Sequence, residues 1–401
     1  MKIKHITAAM LVAAGAGFAQ SASAQDLAVK PLADLRLRYE SVDQQGLAQP
    51  EADAVTARLR AGVEARTGPL SALVEGQGTL RLAGNAFDGL TGAANRPLIA
   101  DPENVALYRA QIAYRTPSFA VTAGRQRIKL DDERFVGGVG FRQNGQTFDA
   151  VRAEWTGLPG LRADVSYVWQ VRTIWGVDGT GARPRSIDGD NILASLSAKT
   201  PLGTLTGFGY LVDQDEAGVQ GYRLSSQSYG ARFSGAQKLS ANTKLGYAFS
   251  YARQSDYRRN PNDYTADYWL ADVILDLSTL KLNAGYEVLG ASDGTALTSF
   301  QTPLGTNFKF QGWADKFLAT PTNGVRDLYA GASYGWQGVT VQAAFHRFES
   351  DRLDQHYGDE INLLANVKRK KTTISARFAH YDAKTFATDT SKFWLQLDWA
   401  L

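Results

Sequence analysis

Arginines separated by one residue recur in this chain, as Arg36 and Arg38 in Leu-Arg-Leu-Arg and as Arg58 and Arg60 in Arg-Leu-Arg. In an extended segment residues two apart share a face, so each pair projects two guanidinium groups one way and the leucine between them the other. The same parity sets Arg81, Arg109 and Arg115 opposite the apolar residues of their segments, followed by Arg152, Arg162 and Arg172 and finally by Arg232 and Arg377. A guanidinium is a permanent charge on a planar fork that pairs carboxylates through two hydrogen bonds, so a series of them along one surface attracts anions.

Acidic residues share that face: Glu75 and Glu154, with Asp34, Glu40, Asp164 and Asp398. Two readings therefore stand together. Arginines in excess of the acids form an anion-biased lining; arginines matched by acids form salt-bridge ladders that hold a wall in shape. Trp394 and Tyr268 have the same parity, and such rings either stack on sugar faces or brace a loop folded against them. Arg125 and Arg127 have the opposite parity, which a bulge or a position above the membrane explains.

The elements that position these residues are runs of about ten residues alternating apolar and polar. Leu35, Leu37 and Tyr39 oppose Asp34, Arg36, Arg38 and Glu40; Ala57, Leu59, Ala61 and Val63 oppose Arg58, Arg60 and Glu64. Connections alternate between short turns, such as 116–118, 200–203 and 335–338, and longer polar stretches, such as 83–103, 130–146, 173–188 and 291–326. Eighteen runs can be counted, an even number that puts both chain ends on one side. The fold expected is all-β: a transmembrane antiparallel up-and-down β-barrel with short periplasmic turns and long extracellular loops. Facing lipid near the midplane, each arginine would cost roughly 2 to 4 kcal/mol, so the lumen is their expected side. Tyr108, Tyr114, Phe119, Trp155, Trp169, Tyr247, Phe249, Tyr251, Trp269 and Trp336 fall near run ends, where interfacial girdles place aromatic rings.

Composition agrees. The chain has 39 Gly, 17 Tyr, 18 Phe and 8 Trp, with a negative mean hydropathy. That mixture suits a barrel apolar outside and polar inside. Residues 1–24 read as a secretory signal peptide: Lys2 and Lys4, a short apolar run, then Ala22-Ser23-Ala24. Residues 25–401 are then one barrel domain. Net charge is +3, and loss of Lys2 and Lys4 leaves the mature chain near neutral, so charge implies no nucleic-acid partner. Cys is absent, which excludes disulfides and thiolate metal sites. No nucleophile elbow, phosphate loop or zinc spacing occurs, and His346, His356 and His380 stand without one, so neither catalysis nor a cofactor is expected. The acids of 351–359 lack the ordered spacing of a calcium loop.

Alternation stops from Phe300 to Tyr329, within the long connection 291–326; a long aromatic break in a regular pattern reads as the lid or plug of a pore. Two segments resemble the alginate-export family of outer-membrane channels. The first holds Gly124-Arg125-Gln126, Asp132-Glu133-Arg134 and Gly145-Gln146-Thr147-Phe148-Asp149-Ala150-Val151-Arg152. The second holds Gly305-Thr306-Asn307-Phe308-Lys309-Phe310 and Gly312-Trp313-Ala314-Asp315, with Phe308 where the family often has His. The resemblance implies an eighteen-stranded barrel with a narrow basic lumen, in a family whose best-known relative exports alginate, an anionic polysaccharide.

The function expected is an outer-membrane channel passing anionic saccharides or small anionic solutes, embedded as a monomer among lipid and lipopolysaccharide. A closed structural or adhesin-like barrel whose outer loops bind a partner is the alternative.

Overall fold

The computed structural model describes residues 27–401, so the expected signal peptide lies outside the described residues. Eighteen strands run from β1 (Ala28–Gln44) to β18 (Thr390–Ala400), each antiparallel to its sequence neighbour, and β18 pairs back onto β1. The sheet is therefore closed, leaving no open edge whose backbone groups would need partners in hydrocarbon.

The period of two decides the faces. In β2 (Glu51–Thr67) Leu59 is 52% exposed on the outer surface, while its neighbours Arg58 and Arg60 are 2% and 6% exposed inside. Exposed apolar side chains here form the surface a bilayer covers, and buried polar ones form the interior, the reverse of a water-soluble protein. Because Leu59 lies midway along β2, Leu59→Arg should lower stability by about 2 to 4 kcal/mol, whereas Leu70→Arg at a strand end should cost about 0 to 1. Urea unfolding from lipid vesicles measures both.

Turns on one side are tight. Gln337 and Gly338 both take left-handed backbone, φ 48° and 82°, the hairpin turn that matches strand twist, between β14 (Val325–Trp336) and β15 (Val339–Glu349). Connections on the other side are long, and two of them do not stay outside. Aromatic side chains ring the outer surface near both ends: Tyr114, Phe119, Trp155 and Trp336 by the tight turns, Trp169 and Trp269 by the long connections.

Five register shifts interrupt the ladders. Between β3 (Leu70–Gly84) and β4 (Asn104–Arg115), Glu75 pairs Arg109 while Gly76 pairs Leu107, so Tyr108 is extra. Tyr108 consequently turns inward, 6% exposed with the Arg60 guanidinium 3.8 Å from its ring centre, and is not a girdle residue. Between β6 (Thr147–Trp155) and β7 (Leu161–Arg172), Ala150 pairs Val168 but Asp149 pairs Gln170, so Trp169 is extra; β8 (Ser186–Thr200) has an extra residue of its own opposite it, between Asn191 and Asp188. That shift reverses the parity above it. Val171 points in, and Arg172 joins Gln170 on the outer face, its Nη1 donating to Gln170 Oε1 at 3.2 Å. The lumenal position expected for Arg172 is thus corrected: an extra residue in the strand flips every later side chain.

Candidate functional site

Residues 127–146, between β5 (Phe119–Gln126) and β6 (Thr147–Trp155), and residues 290–324, between β13 (Leu280–Leu289) and β14, fold into the barrel and meet there. Val136 and Leu304 form a parallel bridge, and the Thr306 N–H donates to Glu133 O at 2.9 Å. The Glu133 carboxylate accepts from Thr306 Oγ1 at 2.8 Å and pairs with Lys309 Nζ at 2.8 Å. Burial acts to raise its pKa, but Lys309, the Gly138 N–H, Thr306 and Lys129 outweigh burial and hold it at about 2, below the ordinary 4.5. A depressed carboxyl stabilises fully above its ordinary value and releases only as pH falls through about 2. This latch therefore stays shut throughout mild acid.

Both loops are also tied to the wall. Arg134 Nε donates to Glu287 Oε1 at 2.7 Å in a fully buried pair, and Tyr268 OH donates to the same oxygen at 2.8 Å. Arg142 bridges Asp315 at 2.6 Å and Glu40 at 3.3 Å, while Lys392 reaches the same Asp315 oxygen at 2.8 Å. These two cations hold the Asp315 carboxyl below its usual range against the opposing effect of burial. Arg232 holds Asp132 at 2.8 Å. At Gly312, φ +79°, a Cβ would lie 2.3 Å from the Glu360 carboxylate, which accepts the N–H groups of Trp313 and Ala314. A side chain there would be strained at this φ and would displace the Glu360 carboxylate from the two N–H groups.

Where the loops cross, Phe141 stacks on Phe308 with ring centres 3.4 Å apart, and Trp394 packs edge-on against both. Trp394 is 1% exposed, and Tyr268 lies among Phe135 and Phe300, so both rings pack against the inward loops. The Phe308 that departs from the family pattern is the centre of this stack.

The arginines divide into paired and under-paired sets. Arg81 pairs Asp88, Arg109 pairs Glu75, and Arg152 and Arg162 share Glu154 and Asp164, all within 3.4 Å; these are the ladders. Arg38 is fully buried, bonded to Gln396 and Asp101 and to the Phe141 carbonyl. Arg60 holds Gln77 at 2.7 Å, and Arg115 reaches Ser71 Oγ at 3.0 Å. The remaining three differ. Arg36 and Arg58 face each other directly across β1 and β2, and each has one carboxylate, Asp398 at 2.7 Å and Asp34 at 2.5 Å; Arg36 Nη1 also donates to the Gly140 and Phe141 carbonyls, both at 3.0 Å. Arg377, on β17 (Thr372–Ala383), has no ion pair among the described residues and lies beside the Phe141 and Trp313 rings. Buried nitrogens Arg58 Nε and Nη1 and Arg377 Nε have no protein hydrogen-bond partner.

Two cavities lie on either side of the loop crossing. The outer one, about 450 Å³, is bounded by Gln44, Trp175, Phe308, Asp315 and Lys316. The inner one, about 350 Å³, lies against Arg232, Asp272, Lys309, Trp313, Tyr329 and His346. Burial and the neighbouring Lys392 lower the Lys316 pKa to about 8 against the pull of Asp315. The outer cavity thus loses a positive charge as pH rises through about 8. Anion preference should fall between pH 7 and 9, and Lys316→Gln should remove that dependence; reversal potentials across the pH series test it.

The other residues picked out by the family resemblance are structural in their contacts. Gln126 Nε2 donates to the carbonyls of Thr122, Gly124 and Ala150. Arg125 and Asp149 form a two-bond pair, 2.7 and 2.8 Å, on the outer face, and Asn307 accepts from Thr302 and Arg134. No break in alternation marks 127–146 as entering the lumen; Arg134 and Arg142, cations within a long connection, are the residues that seat it there. The 291–326 loop ends at Gly324, because Val325 and Arg326 already belong to β14.

No family model matches the chain, and no curated protein sequence matches it. Solved structures do. OccAB4 of Acinetobacter baumannii aligns over 93% of this chain and 98% of its own, with a TM-score of 0.72 at 12% identity. OccAB3 of the same organism covers 93% and 99%, TM-score 0.71, 15% identity. Pseudomonas aeruginosa OpdK, crystallised with vanillate, covers 93% and 98%, TM-score 0.69, 13% identity. The chain has the closed eighteen-stranded barrel fold of the outer-membrane Occ and Opd porins.

Proposed function

We propose that this chain is an outer-membrane channel that passes anionic solutes, drawn through the constriction by Arg36, Arg58 and Arg377. The observation that carries the reading is the Arg36 and Arg58 juxtaposition. Like charges placed directly opposite in a sheet destabilise it, and buried donors without partners are costly. A lining that keeps both is suited to an anion that supplies the missing acceptors in passing. Weak sites in series bind well enough to admit a solute and loosely enough to release it. Vanillate, found with OpdK, is a small carboxylate, a group that the guanidinium forks of this lumen are suited to pair.

The finer reading, resting on the alginate-export resemblance, is that the solute is an anionic saccharide. Planar-bilayer recording with added oligoalginate and, separately, benzoate-type carboxylates tests it. Block by oligoalginate at lower concentration than by the aromatic acid supports the saccharide; the reverse order assigns the channel to small carboxylates. The closed structural or adhesin-like barrel has one observation in its favour, the Phe141, Phe308 and Trp394 stack across the loop crossing. An absence of current from folded protein would establish that alternative.

A further inference from the structure

The wall of the barrel has a notch. On its β5 side β4 is paired only from Ala110 to Arg115, so Asn104 to Arg109 have a strand neighbour on one side alone. Side chains close the gap from both faces: from within, Asn144 Nδ2 donates to Pro102 O at 2.9 Å, and from outside Arg125 Nη1 donates to the bare Leu107 carbonyl at 3.1 Å. A small recess in the wall, about 40 Å³, is bounded by the inward Gln77, Tyr108 and Asn144 and by Leu107, Arg172 and Arg185.

Arg172 and Arg185 have no ion pair among the described residues. The carboxylates nearest Arg172 are already engaged, Asp149 by Arg125 and Asp188 by Gln170 at 2.6 Å. Arg172 is the last residue of β7, just above the outward Trp169, so both guanidinium groups stand at the outer headgroup level. Beside the notch the outer surface is apolar: Val105 is 77% exposed and Leu80 54%.

We propose that this notch binds the phosphorylated glycolipid of the outer leaflet, lipid A, with Arg172 and Arg185 on a phosphate and an acyl chain along Val105, Leu107 and Leu80. The inference rests on the outer-membrane placement proposed above but not on conduction. Two guanidinium groups without an ion pair match a phosphate's oxygens, Arg172 keeping one hydrogen bond to Gln170, and an apolar strip beside them suits the lipid's acyl chain. The same contact would cover the stretch of β4 that lacks a strand partner.

Native mass spectrometry of the full barrel in detergent, titrated with bisphosphorylated lipid A, dephosphorylated lipid A or pyrophosphate, tests it. Phosphorylated lipid A should bind about tenfold more tightly than the dephosphorylated form, and Arg172→Ala with Arg185→Ala should abolish that preference. Arg172→Lys with Arg185→Lys, which keeps the charge, should retain part of it and shows that the fold survives substitution here. Equal binding of both lipids, no loss in the double alanine variant, or pyrophosphate binding as tightly as lipid A would each overturn the proposal. Conductance of the same preparations separates the two readings: a double alanine variant that conducts normally but has lost lipid A leaves the channel untouched, whereas wild type that conducts and binds no lipid A sinks only the lipid site.

Discussion

Arg58→Ala lowers the anion-to-cation permeability ratio several-fold, read as a shift of reversal potential under a salt gradient. Arg58 is 2% exposed, faces Arg36 across the strand pair, and has two buried nitrogens without protein partners. At an effective dielectric constant near 20, a solute anion about 7 Å from one guanidinium gains about 2 kcal/mol, so removing one of three such charges weakens local anion enrichment severalfold. Arg162→Ala is the control. Arg162 is 52% exposed and shares Glu154 and Asp164 with Arg152, so its removal leaves the ratio unchanged. A sharp fall in the control with none at Arg58 would place the selectivity in the ladders.

Arg134→Ala has the second large effect, on the loop rather than the solute. Arg134 and Glu287 are 1% and 2% exposed at 2.7 Å, and removing one member of such a pair strands the other's charge at a cost of about 3 to 5 kcal/mol. The 127–146 loop then loses its seat, and because it is latched to 290–324 through Glu133, both loops loosen. Single-channel traces should show larger, flickering currents and the barrel should unfold at lower denaturant. Arg134→Met with Glu287→Leu fills the same space without charge and should return quiet traces. Flicker in the apolar pair as well would mean that the charge itself, and not the packing, orders the loop.

Much of this architecture is legible residue by residue. Leu35, Arg36, Leu37 and Arg38 declare two faces, and the same alternation repeated through the chain gives the strand number and the closed sheet. The misplacements have one cause. A bulge shifts parity by a residue, and nothing in Tyr-Val-Trp-Gln-Val-Arg, 167–172, marks Trp169 as the extra position that turns Arg172 outward. Tyr108 moved inward in the same way. Of the site, the long aromatic loop was visible because it breaks the pattern. The inward path of 127–146 was not, since the contacts that hold it, Arg134 to Glu287 and Arg142 to Glu40, join residues 153 and 102 positions apart. Local polarity reads alike for a loop in solvent and a loop in a polar lumen. The loop's carboxylates and arginines acquire their roles only when the distant strands are in place.

The most direct test is the reversal potential of the refolded wild-type barrel in a planar bilayer under a potassium chloride gradient. The structure leads to a steady conductance with a potential of the sign for chloride preference, diminishing as pH passes 8. A potential of the opposite sign, or no current from protein shown to be folded and inserted, would contradict an anion channel lined by Arg36, Arg58 and Arg377.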